Sequence, residues 1–121
     1  MKTFTFSPSR IAALLALGLA TTAQAAWPDK PVTLVVPYSA GGPTDVVARV
    51  LAVPMGQSLG QTVVVENTVG AGGTLAPARV ARAKNDGYTI LIHHMGMATA
   101  PALYKKLPYN SLKDFEYIGQ V

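Results

Sequence analysis

The sequence predicts an α/β fold, an open and mainly parallel sheet with flanking helices. Three observations lead there. Val32 to Val36 is a continuous apolar, β-branched run, the pattern of a strand buried on both faces. A glycine-rich segment follows it, and another follows a second run at Val63 to Val65. Behind each segment, apolar residues recur at helical spacing. Strand, loop and helix therefore repeat in order, which implies right-handed crossovers within one sheet.

Ahead of the first strand, Lys2 and Arg10 give a basic start, Ile11 to Ala20 is apolar, and Ala23-Gln24-Ala25 supplies small residues. This is the pattern of a secretory signal peptide over 1–25, cleaved after Ala25 or Ala26. Thr21, Thr22 and Gln24 interrupt the run, whereas a spanning helix needs about 20 apolar residues. The mature chain then starts close to Trp27.

The first strand closes at Pro37, and Tyr38 to Asp45 is loop chemistry. Val46, Val47, Val50 and Leu51 share one face of the helix that follows. Thr44 suits the N-cap, with Asp45 in the first turn where its charge complements the dipole. The helix heads for Leu59 and a stop at Gly60, but Pro54 lacks an amide hydrogen, so a kink or an early end is expected there. In the second unit, Thr68 to Thr74 is a loop carrying Gly70, Gly72 and Gly73, and a helix runs from Leu75 to about Ala83. Pro77 falls in its first turn, where an amide hydrogen has no helical partner.

Asn85-Asp86-Gly87 makes a turn, and Tyr88 to Ile92 has the β-branched and aromatic character of a third strand. His93 and His94 stand at its end. A loop from Met95 to Thr99 leads to a short helix around Pro101 to Tyr104, and Phe115 to Val121 reads as a fourth strand. With no closing helix after it, the chain is expected to be truncated.

In an open parallel sheet, the loops at the carboxyl ends of the strands gather along one edge, where ligands settle. Small residues there let backbone amides approach a bound oxygen, and a helix N-terminus favours an anion. The candidate ligand-binding residues are Tyr38, Ser39, Ala40, Gly41, Gly42, Thr44 and Asp45 in the first loop. Ala71, Gly72, Gly73 and Thr74 come from the second, and His94, Met95 and Gly96 from the third. The expected ligand is a carboxylate held by the amides of Gly41, Gly42, Thr44 and Ala71 to Thr74. Pro43 cannot donate and stiffens the turn. Asp45 is read first as a capping residue, with orientation of loop amides or pairing with a ligand ammonium as the alternatives. His93 and His94 alternate across the strand, so only one of them faces the ligand.

Other functional classes find little support. Lys2 and Arg10 lie in the leader, leaving eight basic residues against six acidic ones, too weak and scattered for nucleic acid. Leu75 stands where a dinucleotide fingerprint requires its third glycine, and there is no phosphate loop of Gly-Lys-Ser/Thr type. Adjacent strand histidines point apart, and no cysteine or acidic cluster completes a metal shell, so no metal or cofactor is expected. No nucleophile elbow surrounds Ser39, so no catalytic residue is assigned. The alternatives to a binding protein are a fragment of a secreted α/β hydrolase and a non-functional remnant of a receptor.

From Trp27 onward the chain resembles the tripartite tricarboxylate transporter receptors, the Bug family of extracytoplasmic solute-binding proteins. The resemblance rests on Trp27-Pro28, Val36-Pro37-Tyr38, Ala40-Gly41-Gly42-Pro43-Thr44-Asp45, Leu59-Gly60-Gln61 and Val63-Val64-Val65-Glu66-Asn67. It continues through Gly70-Ala71-Gly72-Gly73-Thr74, Asp86-Gly87-Tyr88-Thr89, Pro101-Ala102-Leu103-Tyr104, Leu107-Pro108-Tyr109 and Asp114-Phe115. It implies a two-lobed periplasmic clamshell of type II, of which 26–121 is the N-terminal portion of lobe 1, the second lobe being absent. The implied partners are a small organic anion (a di- or tricarboxylate, an aromatic acid or an acidic amino acid) and membrane permease subunits. With no cysteine to carry a lipid anchor, the implied location is the periplasm, free of the membrane. Pro54 departs from the family's usual helix former, and His93 and His94 stand where small residues are commoner.

Overall fold

The computed structural model describes residues 26–121, so the proposed leader at 1–25 lies outside the described residues. Three parallel strands form one sheet: β1 (Val32–Val36) is central, flanked by β2 (Val63–Asn67) and β3 (Thr89–Leu91). Leu34 stands beside Val65 on one side and Ile90 on the other. Because strand side chains alternate, the sheet feeds a core on each face. On one face Val32, Leu34, Val36 and Val63 pack with Ala48, Ala52, Met55 and Leu59 of helix α1 (Pro43–Leu59). On the other, Leu91 packs against Ala78 of helix α2 (Leu75–Val80) and Met97 of helix α3 (Gly96–Leu103), with Tyr109 beside them. The two faces explain the unbroken apolar run of β1, whose Val35 is as buried as Val36.

Several expectations change on contact with the structure. Helix α1 does not end at Pro54 but continues to Leu59 and closes on Gly60, whose left-handed backbone is the conformation glycine adopts without strain. Pro54 is tolerated because it is exposed, as is Val50 one turn back, so water reaches the carbonyl that loses its partner. The N-cap of α1 is Gly42, not Thr44, and Pro43 is the first helical residue, which suits its missing amide hydrogen. The stripe of Val46, Val47 and Val50 is exposed, whereas Asp45 and Ala48 are buried. Ala48 is small enough for α1 to lie close on β1.

Helix α2 ends at Val80 and tightens beyond it, with Arg82 bonding Arg79 and Ala83 bonding Val80. Helix α3 starts at Gly96, earlier than the sequence suggests, and ends at Leu103. Phe115 to Val121 forms no strand: among the described residues it has no ladder partner, and Ile118 and Val121 are exposed. The start of the described chain is tied to β3 through Tyr88, whose hydroxyl accepts the Asp29 amide at 2.9 Å and donates to the Asp29 carboxylate. Trp27 packs tilted on the same ring, and the Lys30 ammonium sits over it.

Candidate functional site

Since the three strands are parallel, their carboxyl ends emerge together, at Val36, Asn67 and Leu91. The loops leaving them border a cleft of about 420 Å³ lined by Tyr38, Ser39, Gly42, Thr44, Val69 and His94, among others. A larger hollow of about 510 Å³ lies at the opposite edge, between the end of α1 and the start of β2, and touches none of these loops. The carboxyl edge is the one that brings loop amides, hydroxyls and an imidazole together, so it is the candidate site.

The first loop is built around Asp45. The residue is only 1% exposed. One oxygen accepts from the Gly41 amide at 2.8 Å and from Arg49 Nε at 2.9 Å; the other accepts from Asn67 Nδ2 at 2.9 Å. These bonds hold the carboxyl far below the usual carboxylate range, the Arg49 bond foremost, then Gly41 and Asn67. Asn67 gives its other amide hydrogen to the Tyr38 carbonyl at 2.9 Å, and its oxygen receives Arg49 Nη2 at 3.3 Å. A buried charge thus ends up paired and fully hydrogen-bonded, as burial demands. Of the roles considered for Asp45, the geometry shows one: it orients a loop amide, reaching back from the third position of the helix.

This network corrects part of the sequence reading. The Gly41 amide goes to Asp45, and the Gly42 amide goes to the Ser39 carbonyl at 3.2 Å. In the second loop, Gly73 and Thr74 donate to Gly70 and Ala71. Four of the expected anion donors are therefore spent inside the turns. The amides of Thr44, Ala71 and Gly72 have no acceptor among the described residues. Thr44 also lines the cleft.

Ala71 to Thr74 do not line the cleft but lie behind Tyr38. They form a short 3₁₀ turn in which Ala71, Gly72 and Gly73 all have positive φ. A side chain on Gly73 would stand 2.9 Å from the Tyr38 hydroxyl, and one on Gly72 would stand 2.1 Å from the Tyr104 hydroxyl. The glycines are thus required by close approach as well as by backbone conformation. The loop is clamped to α2 by Arg79, which bonds Glu66 and donates to Thr68 Oγ at 2.9 Å. Helix α2 is only six residues long, so its dipole adds little to an anion site.

The third loop separates the two histidines. His93 is half-buried, its nitrogens 3.3 Å from the Gly73 carbonyl and 3.1 Å from the His94 carbonyl. Burial pushes its imidazole below the usual histidine range. His94 is exposed, lines the cleft, and stacks on Tyr38 with ring centres 4.7 Å apart and planes 7° from parallel. Its Nδ1 accepts the Gly96 amide at 2.9 Å. Burial foremost, then Tyr104, raises the Tyr38 phenol, which stays protonated. Met95, although exposed, lies outside the cleft lining, as do Ala40 and Gly41. Sequence reasoning missed Asn67 and Arg49. An asparagine closing a parallel strand at its carboxyl end is a sign of the first; the i,i+4 spacing from Asp45 on one helix is a sign of the second.

Fold and site together define a class: the chain has the type II periplasmic-binding-protein architecture, a partial domain of it. The superposed structures agree. A structure of the periplasmic binding protein BugD aligns with a TM-score of 0.73 and 57% identity over 74% of this chain and 30% of its own. MatC from Rhodopseudomonas palustris with bound malate gives 0.72 and 50%, over 74% and 31%. A second R. palustris protein, solved with adipate, gives 0.67 and 38%, over 71% and 29%. In sequence, a protein of Agrobacterium vitis from the TAR-I ttuE-ttuC' intergenic region is 50% identical over 99 residues, 82% of this chain and 29% of that protein. BugT of Bordetella pertussis is 37% identical, over 93% and 37%. The sequence profile described as "Tripartite tricarboxylate transporter family receptor" matches residues 47–121. The chain belongs to that receptor family. It spans about a third of the length of the curated relatives it matches.

Proposed function

We propose that this chain is the N-terminal portion of lobe 1 of an extracytoplasmic receptor. It captures a small organic carboxylate and delivers it to a tripartite tricarboxylate-type membrane permease, with no catalytic step. The observation that carries the reading is the cleft at the carboxyl edge of the sheet. Thr44, Ser39 and His94 face it with hydrogen-bond donors, and the nearby carboxylate of Asp45 is already occupied by Arg49, Gly41 and Asn67. A ligand anion therefore meets donors in the cleft and no free carboxylate from Asp45. Two structures similar to this one carry malate and adipate, which supports a dicarboxylate of that size. Residues 1–25 act as the export signal, and the mature protein works in the periplasm.

In binding proteins of two lobes, a ligand that touches both selects the closed state. The cleft described here contributes one wall. Isothermal calorimetry of the complete protein against a panel of organic acids tests the reading. Carboxylate binding that is lost in Thr44→Pro, which removes an unpartnered amide in the first turn of α1, supports it. Absence of binding to every acid in the panel overturns it.

A further inference from the structure

His94 differs from the other cleft-lining groups in having its hydrogen-bond polarity set by the fold. The Gly96 N–H donates to its Nδ1 at 2.9 Å, so that nitrogen carries no proton in this arrangement. In the neutral ring the proton then sits on Nε2, across the imidazole from Gly96. Nε2 has no partner among the described residues. Turning the ring over would set a carbon against the Gly96 N–H and break that hydrogen bond. The ring lies nearly parallel on Tyr38, 4.7 Å between centres, with His93 edge-on at 5.2 Å.

Resting on the carboxylate-receptor reading, we propose that His94 is the specificity-determining residue of the cleft, a fixed Nε2–H donor that favours dicarboxylates over ω-amino acids of the same length. A dicarboxylate presents an accepting oxygen to this hydrogen in either orientation, whereas an ω-amino acid does so with one end only, its ammonium at His94 meeting donor against donor. An unpaired polar group at a binding contact is a stronger discriminator than a missing methylene.

The test measures affinities of the complete protein for malate and adipate beside 4-aminobutyrate and 6-aminohexanoate, in which an ammonium replaces one carboxylate. Wild type is expected to bind at least one of the two dicarboxylates and to prefer it to the amino acid of matching length. His94→Phe keeps the stacked ring and loses the donor; it is expected to weaken the dicarboxylate about tenfold or more and to narrow the preference. His94→Gln restores an N–H donor and should recover part of the affinity. Nitrogen-15 chemical shifts of the neutral His94 ring should show the proton on Nε2. Unchanged affinity and preference in His94→Phe, or the proton on Nδ1, overturns the inference while leaving the receptor reading intact. Failure of wild type to bind either dicarboxylate, alongside binding of another carboxylic acid, also sinks only the inference. Failure to bind any carboxylate removes both.

Discussion

The carboxylate of Asp45 holds the amide of Gly41 at 2.8 Å, turning a glycine-rich loop into a fixed turn before any ligand arrives. Such a preorganised wall lowers the ordering cost of binding. In the proposed site, Asp45 therefore serves the loop and not the ligand directly.

Asp45→Asn tests this division of labour. An amide cannot accept from Gly41, Arg49 and Asn67 at once, and its own NH₂ must face one of those donors. The variant is expected to unfold several degrees below wild type, with a weaker affinity for the proposed carboxylate. A variant of unchanged thermal midpoint would show that the network carries no stability.

The same carboxylate gives stability a pH dependence whose sign follows from its shift. Folding lowers its pKa, mainly through the Arg49 bond, so the unfolded chain takes up the proton more readily. An unfolded Asp titrates near 3.9, so the contribution is complete above about pH 5 and is progressively lost as the pH falls through and below 4. Urea midpoints measured from pH 7 to pH 3 should fall for wild type, and less steeply for Asp45→Asn.

Gly72 is predicted to resist substitution for two separable reasons. Its φ is +64°, and an added Cβ would lie 2.1 Å from the Tyr104 hydroxyl but 3.3 Å from the ring carbon that bears it. Gly72→Ala should lose about 1–3 kcal/mol from the left-handed backbone and the clash together. Adding Tyr104→Phe removes the oxygen and should recover the clash but not the backbone part. A double-mutant cycle in denaturant reads the coupling; additive effects would show that Tyr104 moves aside freely.

The elements that the sequence made legible are those where one local signal decides. Val32 to Val36 admits no exposed face, and Gly60 stops α1 because only the left-handed backbone ends the helix there. What stayed hidden depends on contacts between distant segments. The face of α1 is hard to read because its exposed valines are more apolar than the alanines that face the sheet, and the buried Asp45 has a distant partner, Asn67, 22 residues away, beside its local ones Gly41 and Arg49. Of the residues lining the cleft, Tyr38, Thr44 and His94 are legible from their loops. Which amides remained unbonded was not, since turns of the same composition can aim N–H groups inward or outward. Phe115 to Val121 has the composition of a strand, but strand formation requires a neighbour in register, which pattern alone does not supply.

Tyr109 closes the second core and leaves one polar atom unsatisfied. Its ring meets Phe115 edge to face at 5.9 Å, and the residue is 7% exposed, yet its hydroxyl has no hydrogen-bond partner among the described residues. Burial, then the neighbouring Tyr104, Tyr38 and Tyr117, pushes the phenol above its usual range. A buried hydroxyl without a partner costs roughly 1–3 kcal/mol, whereas the ring itself contributes packing that phenylalanine reproduces. Tyr109→Phe should therefore raise stability by about 1 kcal/mol, read as a higher urea midpoint at unchanged slope. Tyr109→Ala should do the opposite, losing about 3–5 kcal/mol by opening a cavity against Ala78 and Met97. A lower midpoint for Tyr109→Phe would mean that the hydroxyl has found an acceptor, such as a trapped water.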